Sequence, residues 1–278
     1  KSDLLMHEFD IIKKYFSKLS LNNKSSLDLN DDVFFYKSKE LVISMDTYIE
    51  GIHFINFKDP DLVIKKILRS SISDLICKGV KPKYYFISGS GNKKSFNKKN
   101  LKKISESLKE EQKKYSIYLS GGDTVYSKKL SFTITTVGFS NKIILRNKAK
   151  INDDIYVTGN LGDSFIGLEI LKNRINLNKK LNDYFKEKYY LPDLKFNLTN
   201  KLLSFANTSI DISDGLIADL DKLINKQNLS YKLYLNDIPI SKNLKKLINM
   251  KIIKKRSCVS KGDDYQILFT SSKSKSRI

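Results

Sequence analysis

The chain has 278 residues, of which 40% are hydrophobic and 29% are charged, and its formal net charge at pH 7 is +21. This hydrophobic content supports a folded core and excludes a disordered polycation, while the length favours two domains. No apolar run approaches the roughly 18–20 residues that cross a bilayer, and the first residues lack the features of an export signal. We therefore expect a cytoplasmic protein without a membrane partner.

The excess of positive charge does not by itself indicate a nucleic-acid-binding protein. Only five of the 51 basic residues are arginine, the side chain best suited to base and phosphate recognition. The lysines are scattered as pairs along polar segments, so nucleic acid is not the expected partner. Cys77 and Cys258 lie far apart without metal-ligand spacing, which predicts reduced, buried thiols.

Strand-like and helix-like segments alternate along the chain, which predicts an α/β (α+β) fold. The predicted strands are 40–45, 83–88, 116–120, 130–140, 154–159 and the segment YQILFTSS; the predicted helices are 59–79, 97–114, 163–173, 183–206 and 212–226. A polar stretch near 147–150 separates two α/β blocks, so we predict domains at 1–148 and 149–278. The second block ends in a strand and a polar tail, and we expect it to be incomplete at its C-terminal end.

Two aspartates follow strand-like runs directly. Asp46 comes after LVISM, and Asp123 comes after SIYL and the pair Gly121-Gly122. Carboxylates at the carboxyl ends of strands are common ligand-binding groups in α/β sheets, and the glycines allow a phosphate to approach the backbone. The alternative for each aspartate is an ordinary turn.

A third aspartate, Asp74, lies on the helix face that carries Val63, Ile67 and Ser70. An aspartate on this face is costly to bury without a partner. It is therefore either an exposed acid near the helix end or an oxygen ligand for a hard cation.

Further acids occur in a loop and at a predicted strand end. Asp31 and Asp32 form a pair before the first strand, and Asp211 and Asp214 flank Ser213 just before a helix. Ser213 and Asp214 are equally well explained as helix N-caps, whereas Asp211 lies inside a strand-like run.

The chemistry of these acids favours magnesium and phosphate. Short carboxylates combined with waters and phosphate oxygens are what Mg²⁺ prefers. A soft-metal site lacks ligands, and a nucleophilic triad has only His7 and His53 as candidate bases. The glycine-containing segment 88–95 does not have the spacing of a P-loop.

Seven motifs carry a family resemblance, in order along nearly the whole chain. They are NDD (30–32), SMDTYIEGIHF (44–54), SISDLICKG (71–79), SGGDT (120–124), IYVTGNLGDS (155–164), IDISDGLIADL (210–220) and KGDDYQIL (261–268). This set resembles the thiamine-monophosphate kinase family of the aminoimidazole ribonucleotide synthetase-like superfamily. The resemblance implies that superfamily's two-domain fold, a homodimer formed through the N-terminal sheet, and Mg²⁺-dependent transfer of the γ-phosphoryl group of ATP onto thiamine phosphate.

The resemblance also implies the roles of individual residues. Magnesium would be bound by Asp32, Ser44, Met45, Asp46, Asp74, Asp123, Asp211 and Asp214. ATP would contact Gly122, Asp123, Arg146 and Ser213, and thiamine phosphate would contact His53 and Asp263. The catalytic residues would be Asp46, Asp74, Asp123 and Arg146, acting by in-line positioning and charge neutralisation.

This sequence departs from the family pattern at several of these positions. Met45 stands where the family usually has Thr, and Asp28 to Asn30 replace a Gly-Ile-Gly. The alternatives are another enzyme of the superfamily, such as aminoimidazole ribonucleotide synthetase, or a non-catalytic protein. The latter would be a basic nucleic-acid-binding protein or a degenerate pseudoenzyme.

Overall fold

The computed structural model describes residues 8–273. Its first half contains α1 (Glu8–Ile11), β1 (Phe34–Tyr36), β2 (Leu41–Ile49), α2 (Pro60–Cys77), β3 (Pro82–Gly91), α3 (Lys98–Tyr115), β4 (Tyr118–Tyr126) and β5 (Ser131–Phe139). The second half contains β6 (Asp154–Val157), α4 (Asp163–Leu171), α5 (Lys179–Tyr190), α6 (Thr199–Phe205), β7 (Thr208–Asp211), α7 (Leu216–Leu223), α8 (Lys242–Asn249), α9 (Lys255–Val259) and β8 (Ile267–Ser271).

The predicted mixed α/β class is confirmed, but the sheets are mainly antiparallel. The first sheet has the order β1-β2-β5-β3-β4, in which only β3 and β4 pair in parallel. The second sheet has the order β6-β8-β7 and is antiparallel throughout. Strand ends therefore do not gather at one sheet edge, as they do in a parallel sheet.

Helix α2 lies at the centre of the molecule. Pro60 starts it, and Gly79, which has a φ of +78°, follows its end, as expected for these residues. Its apolar side chains, including Ile64 and Ile67, share one core with residues of the second half such as Tyr189 and Leu202. Because α2 is covered on both sides, nearly its whole surface is buried.

The two faces of the five-stranded sheet differ in exposure. Along β2, Ser44 and Tyr48 are buried, whereas Met45, on the opposite face, is 68% exposed. Successive side chains of a strand point to opposite faces, so Asp46 lies on the same side as Ser44. We call the side that carries Ser44 and Asp46 the inner face, and the side that carries Met45 the outer face.

The sequence was least successful in the second half. The predicted helix 183–206 is divided into α5 and α6, and the break follows from Pro192, which cannot continue a helix. Helix α7 covers only Leu216–Leu223, and the short helices α8 and α9 were not predicted. In the first half, the short elements α1 and β1 were not predicted. The domain division near residue 148 stays a prediction.

The cysteines and the membrane-spanning potential of the helices were also addressed by the sequence. Cys77 and Cys258 are buried free thiols, as predicted. Among residues 8–273 there is no helix of sufficient length and apolar character to pass through a bilayer.

Candidate active site

A cavity of about 410 Å³ opens between the end of β2, helix α2 and two loops of the second half. Seven of the predicted site residues line it: Asp46, His53, Asp74, Asp211, Ser213, Asp214 and Asp263. The two halves of the chain therefore bring these residues together, although the longest separation between them is more than 200 positions.

Asp46 lies within β2, not after it, because β2 continues to Ile49 and pairs with β5 along its whole length. The expectation that the strand ends before Asp46 is therefore wrong. The hydroxyl of Tyr48 donates a hydrogen bond to the Asp46 carboxylate at 3.2 Å. Burial outweighs this bond and raises the pKa of Asp46 to about 6.

Asp74 and Asp211 lie beside Asp46 and are each held by a serine. Ser44 donates to Asp74, and Ser73 donates to Asp211 at 2.5 Å. Burial, together with a smaller effect of the negative charge of Asp46, raises the pKa of Asp211 to about 6 and the pKa of Asp74 well above its ordinary value. No lysine or arginine of residues 8–273 forms an ion pair with Asp46, Asp74 or Asp211.

The expected convergence of all the carboxylates on shared ions is not observed. Within residues 8–273, no three His, Cys, Asp or Glu side chains are placed so that they could hold one metal ion. The physical reason is that each carboxylate turns toward its own hydroxyl or cationic partner. The donor set of Asp46, Asp74 and Asp211 nevertheless fits a hard cation, since these are oxygen ligands with no lysine or arginine of the described residues in direct ion-pair contact.

The other wall of the cavity carries His53 and Asp263. His53 Nδ1 accepts a hydrogen bond from the backbone N–H of Ile49 at 3.0 Å, and burial lowers the pKa of this imidazole. Lys66, which is 1% exposed, donates to Asp263 at 2.7 Å and lies 3.9 Å from the centre of the Tyr189 ring. These contacts fix the position of the Asp263 carboxylate.

The loop between β7 and α7 contains Ser213 and Asp214, and neither of them caps the helix. Gly215 precedes α7, and the backbone N–H groups of Asp214 and Gly215 both donate to Asp219 at 2.9 Å. Asp214 instead forms an ion pair with Lys222 at 2.5 Å. The N-cap alternative is therefore wrong for both residues.

Asp31 and Asp32 form a second acidic group, and both are neutralised by cations. Lys78 Nζ lies 2.8 Å from Asp31 and 2.6 Å from Asp32. The guanidinium of Arg146 forms an ion pair with Asp32, and its backbone N–H donates to Asp31 at 2.9 Å. The predicted nucleotide contact Arg146 is thus bound to a predicted metal ligand.

The family described as AIR synthase related protein, N-terminal domain, matches residues 30–140. A thiamine-monophosphate kinase of Buchnera aphidicola from Acyrthosiphon pisum is 36% identical over 96% of this chain and 83% of its own length. The chain belongs to the thiamine-monophosphate kinase family.

Two further comparisons agree with this family. The thiamine-monophosphate kinase of Haemophilus influenzae is 33% identical, over 96% of this chain and 82% of its own length. A solved structure of AaThiL complexed with AMPPCP and TMP has a TM-score of 0.88 and 27% identity, and it covers 99% of this chain and 89% of that chain. The superfamily fold implied by the sequence motifs is confirmed.

Six residues predicted from the thiamine-monophosphate kinase resemblance do not line the cavity: Asp32, Ser44, Met45, Gly122, Asp123 and Arg146. Asp123 is exposed and lies within β4, which continues to Tyr126, and it pairs with Ser88 on the outer face. The strand positions place it three strands from Asp46, about 14 Å across the sheet. The expectation that the strand ends before Asp123 is therefore wrong, and Met45 also lies on the outer face.

Gly122 has a structural explanation that the sequence did not reveal. Its φ is +159°, and a Cβ atom here would lie 1.8 Å from the carbonyl oxygen of Ile87 on β3. The close approach of β4 to β3 therefore requires glycine. A role of Gly122 in contacting ATP stays a prediction.

The sequence also missed functional neighbours of the predicted acids. Lys66, Lys78 and Asp219 are almost fully buried and bind predicted site residues. Their positions in the sequence could have indicated burial: Lys66 lies among apolar residues of α2, and Lys78 follows the last apolar turn of this helix. His7, the other candidate base, lies outside the described residues.

Proposed function

We propose that this protein is a thiamine-phosphate kinase that transfers the γ-phosphoryl group of ATP to thiamine phosphate and forms thiamine diphosphate. Family membership supports the reaction, and the AaThiL complex with AMPPCP and TMP supports the two substrates. One observation of the structure carries the proposal. Asp46, Asp74 and Asp211 line the same cavity as His53 and Asp263, and no lysine or arginine in the described part of the chain forms an ion pair with any of these three aspartates.

The uncompensated carboxylates provide the nucleotide side of the site. Asp46, Asp74 and Asp211 would hold Mg²⁺ together with phosphate oxygens, and the metal would neutralise charge on the transferred phosphoryl group. Ser44 and Ser73 orient two of these carboxylates through hydrogen bonds. Ser213, which also lines the cavity, would donate a hydrogen bond to the nucleotide.

The acceptor side needs no strong general base. The attacking oxygen of thiamine phosphate is already ionised, so the work of the protein is to orient it in line with the leaving group. His53 has a lowered pKa and is therefore mainly neutral near pH 7. It can donate a hydrogen bond through Nε2, because Nδ1 accepts from Ile49. Asp263, whose position is fixed by Lys66, would lie beside the acceptor on the same wall as His53.

The outer face of the five-stranded sheet suits the proposed homodimer. Large apolar side chains are exposed together on its strands: Met45 on β2, Phe86 on β3, Val125 on β4 and Phe139 on β5. An exposed apolar patch of this kind is typical of a protein interface. In such a dimer Gly122 and Asp123 would lie at the interface, from which they could contribute to a site completed by the second copy.

The reaction is tested by incubating the chain with ATP, thiamine phosphate and Mg²⁺ and measuring ADP and thiamine diphosphate. We expect equimolar amounts of both products and none when EDTA is added. Replacing thiamine phosphate by formylglycinamidine ribonucleotide tests the aminoimidazole ribonucleotide synthetase alternative. ATP consumption only with that compound, or no turnover with either, would refute the proposal.

A further inference from the structure

Lys78 is the most completely buried cation that the structure shows near the site. It follows the last residue of α2 and is 0% exposed. An ammonium group has three donors, and each has an acceptor here. Lys78 Nζ contacts Asp31 at 2.8 Å, Asp32 at 2.6 Å and the carbonyl oxygen of Ser209 at 2.8 Å.

Backbone hydrogen bonds fix the position of Lys78 on both sides of the residue. The N–H of Lys78 donates to Leu75 at the end of α2, and the N–H of Ile144 donates to the carbonyl oxygen of Lys78 at 3.0 Å. The contact with Ser209 ties the side chain to β7, which carries Asp211 two residues later. The charge of Lys78 is therefore fixed between the two halves of the molecule.

The group around Lys78 is electrically balanced. Asp31 and Asp32 carry two negative charges, and Lys78 and Arg146 supply two positive charges by direct contact. The side chains of Asp31 and Asp32 are only 4% and 8% exposed. A divalent ion bound to Asp32 would have to displace a buried cation, which is unfavourable because that cation would lose its own partners.

We infer that Lys78 is a built-in cation that takes the place of a metal ion at Asp31 and Asp32. This inference deepens the proposed function and rests on it for the role of the nucleotide. Divalent ions are then confined to Asp46, Asp74 and Asp211. Asp32 serves as a positioning residue for Arg146 and is not a magnesium ligand in this chain, contrary to the family resemblance.

The test is the number of Mn²⁺ ions that the protein binds without nucleotide or thiamine phosphate, measured by the electron paramagnetic resonance signal of free Mn²⁺. Asp32→Asn should bind as many ions as the unchanged chain. Lys78→Met should bind one more ion per chain, and Mn²⁺ should raise its unfolding temperature more than that of the unchanged chain. Lys78→Arg, which keeps the charge, is the matched control and should not gain an ion.

Two results would overturn the inference. One is loss of an ion in Asp32→Asn, which would make Asp32 a ligand. The other is a folded Lys78→Met protein, verified by circular dichroism, with an unchanged ion count. If Lys78→Met does not fold, the count for Asp32→Asn decides alone. Because the titration contains no substrate, its outcome is independent of whether thiamine diphosphate is formed.

Discussion

The two acidic groups beside the C-terminal half of α2 are similar in burial but opposite in electrostatic design. Within residues 8–273, Asp46, Asp74 and Asp211 accept side-chain hydrogen bonds only from hydroxyl groups, and burial raises the pKa of each. Asp31 and Asp32 are bound by Lys78 and Arg146. The first group therefore has no cationic side chain of these residues in contact with it, whereas the second is paired with cations of the chain itself.

This difference shows why aspartates cannot be assigned to metals from their residue type alone. A carboxylate binds a divalent ion strongly when the protein has left its charge uncompensated. A carboxylate that already has a buried lysine is part of the framework instead.

Asp74→Asn should abolish most of the activity. The substitution keeps the size of the side chain but removes a charge from the uncompensated group, so we expect turnover to fall by at least about 10²-fold. Formation of thiamine diphosphate measures the effect. Asp61→Asn is the matched control, because Asp61 lies in the first turn of the same helix, partly exposed and paired with Lys103. Equal activity of the two variants would contradict the role of Asp74.

Asp31→Asn and Asp46→Asn should change stability in opposite directions. The first leaves the buried Lys78 short of a partner, and breaking a buried ion pair costs about 3 kcal/mol of unfolding free energy. The second removes an uncompensated carboxylate and should stabilise the metal-free protein. Urea unfolding in EDTA near neutral pH measures both. Destabilisation of similar size in both variants would show that the two groups do not differ in this way.

The uncompensated group also predicts an unusual dependence on pH. Asp46 and Asp211 have a pKa of about 6 in the fold against an ordinary value of 3.8. Between these values the folded state holds more protons than the unfolded state, so unfolding free energy falls as pH rises. The contribution of these two groups to the unfolding free energy is therefore highest near pH 3.8 and levels off above about pH 6.

Measuring this pH dependence requires a reference protein that lacks one of the two carboxylates. We expect the metal-free chain to gain roughly 1–3 kcal/mol relative to Asp46→Asn as pH falls from about 7 to 5. Unfolding temperatures of the two proteins across this range provide the comparison. Parallel curves for the two proteins would mean that Asp46 is not destabilised by burial.

The sequence predicted the fold well where local signals were strong. The alternation of strand 130–140 and the Pro60 and Gly79 boundaries of α2 reflect periodicity and backbone preference. The same signals failed for Asp46 and Asp123, since a polar residue inside a strand looks like a strand end until the pairing partner is known. The motifs located Asp46, Asp74 and Asp211, which lie together in the structure.

What the sequence could not provide was the identity of the charge partners. Lys78 meets Asp31 and Asp32 across more than 40 positions, and Lys66 meets Asp263 across 197. Their positions within and just after the apolar stretch of α2 are a local sign of burial, but nothing in the local pattern identifies the acids that they meet. Only the packing of α2 between the two halves shows these partners.

Asp123 belongs to neither acidic group, and its environment depends on what covers the outer face. If this face forms a homodimer, Met45→Glu should weaken association at least about tenfold, since it places a charge in an apolar interface. Sedimentation velocity over a concentration series measures this change. Met250→Glu is the matched control, because Met250 is 67% exposed but lies in the second half, whereas Met45 is 68% exposed on β2. If the unchanged chain is a monomer, or if both variants associate equally, the outer face is not the dimer interface. Asp123 would then have no second copy through which it could contact a nucleotide.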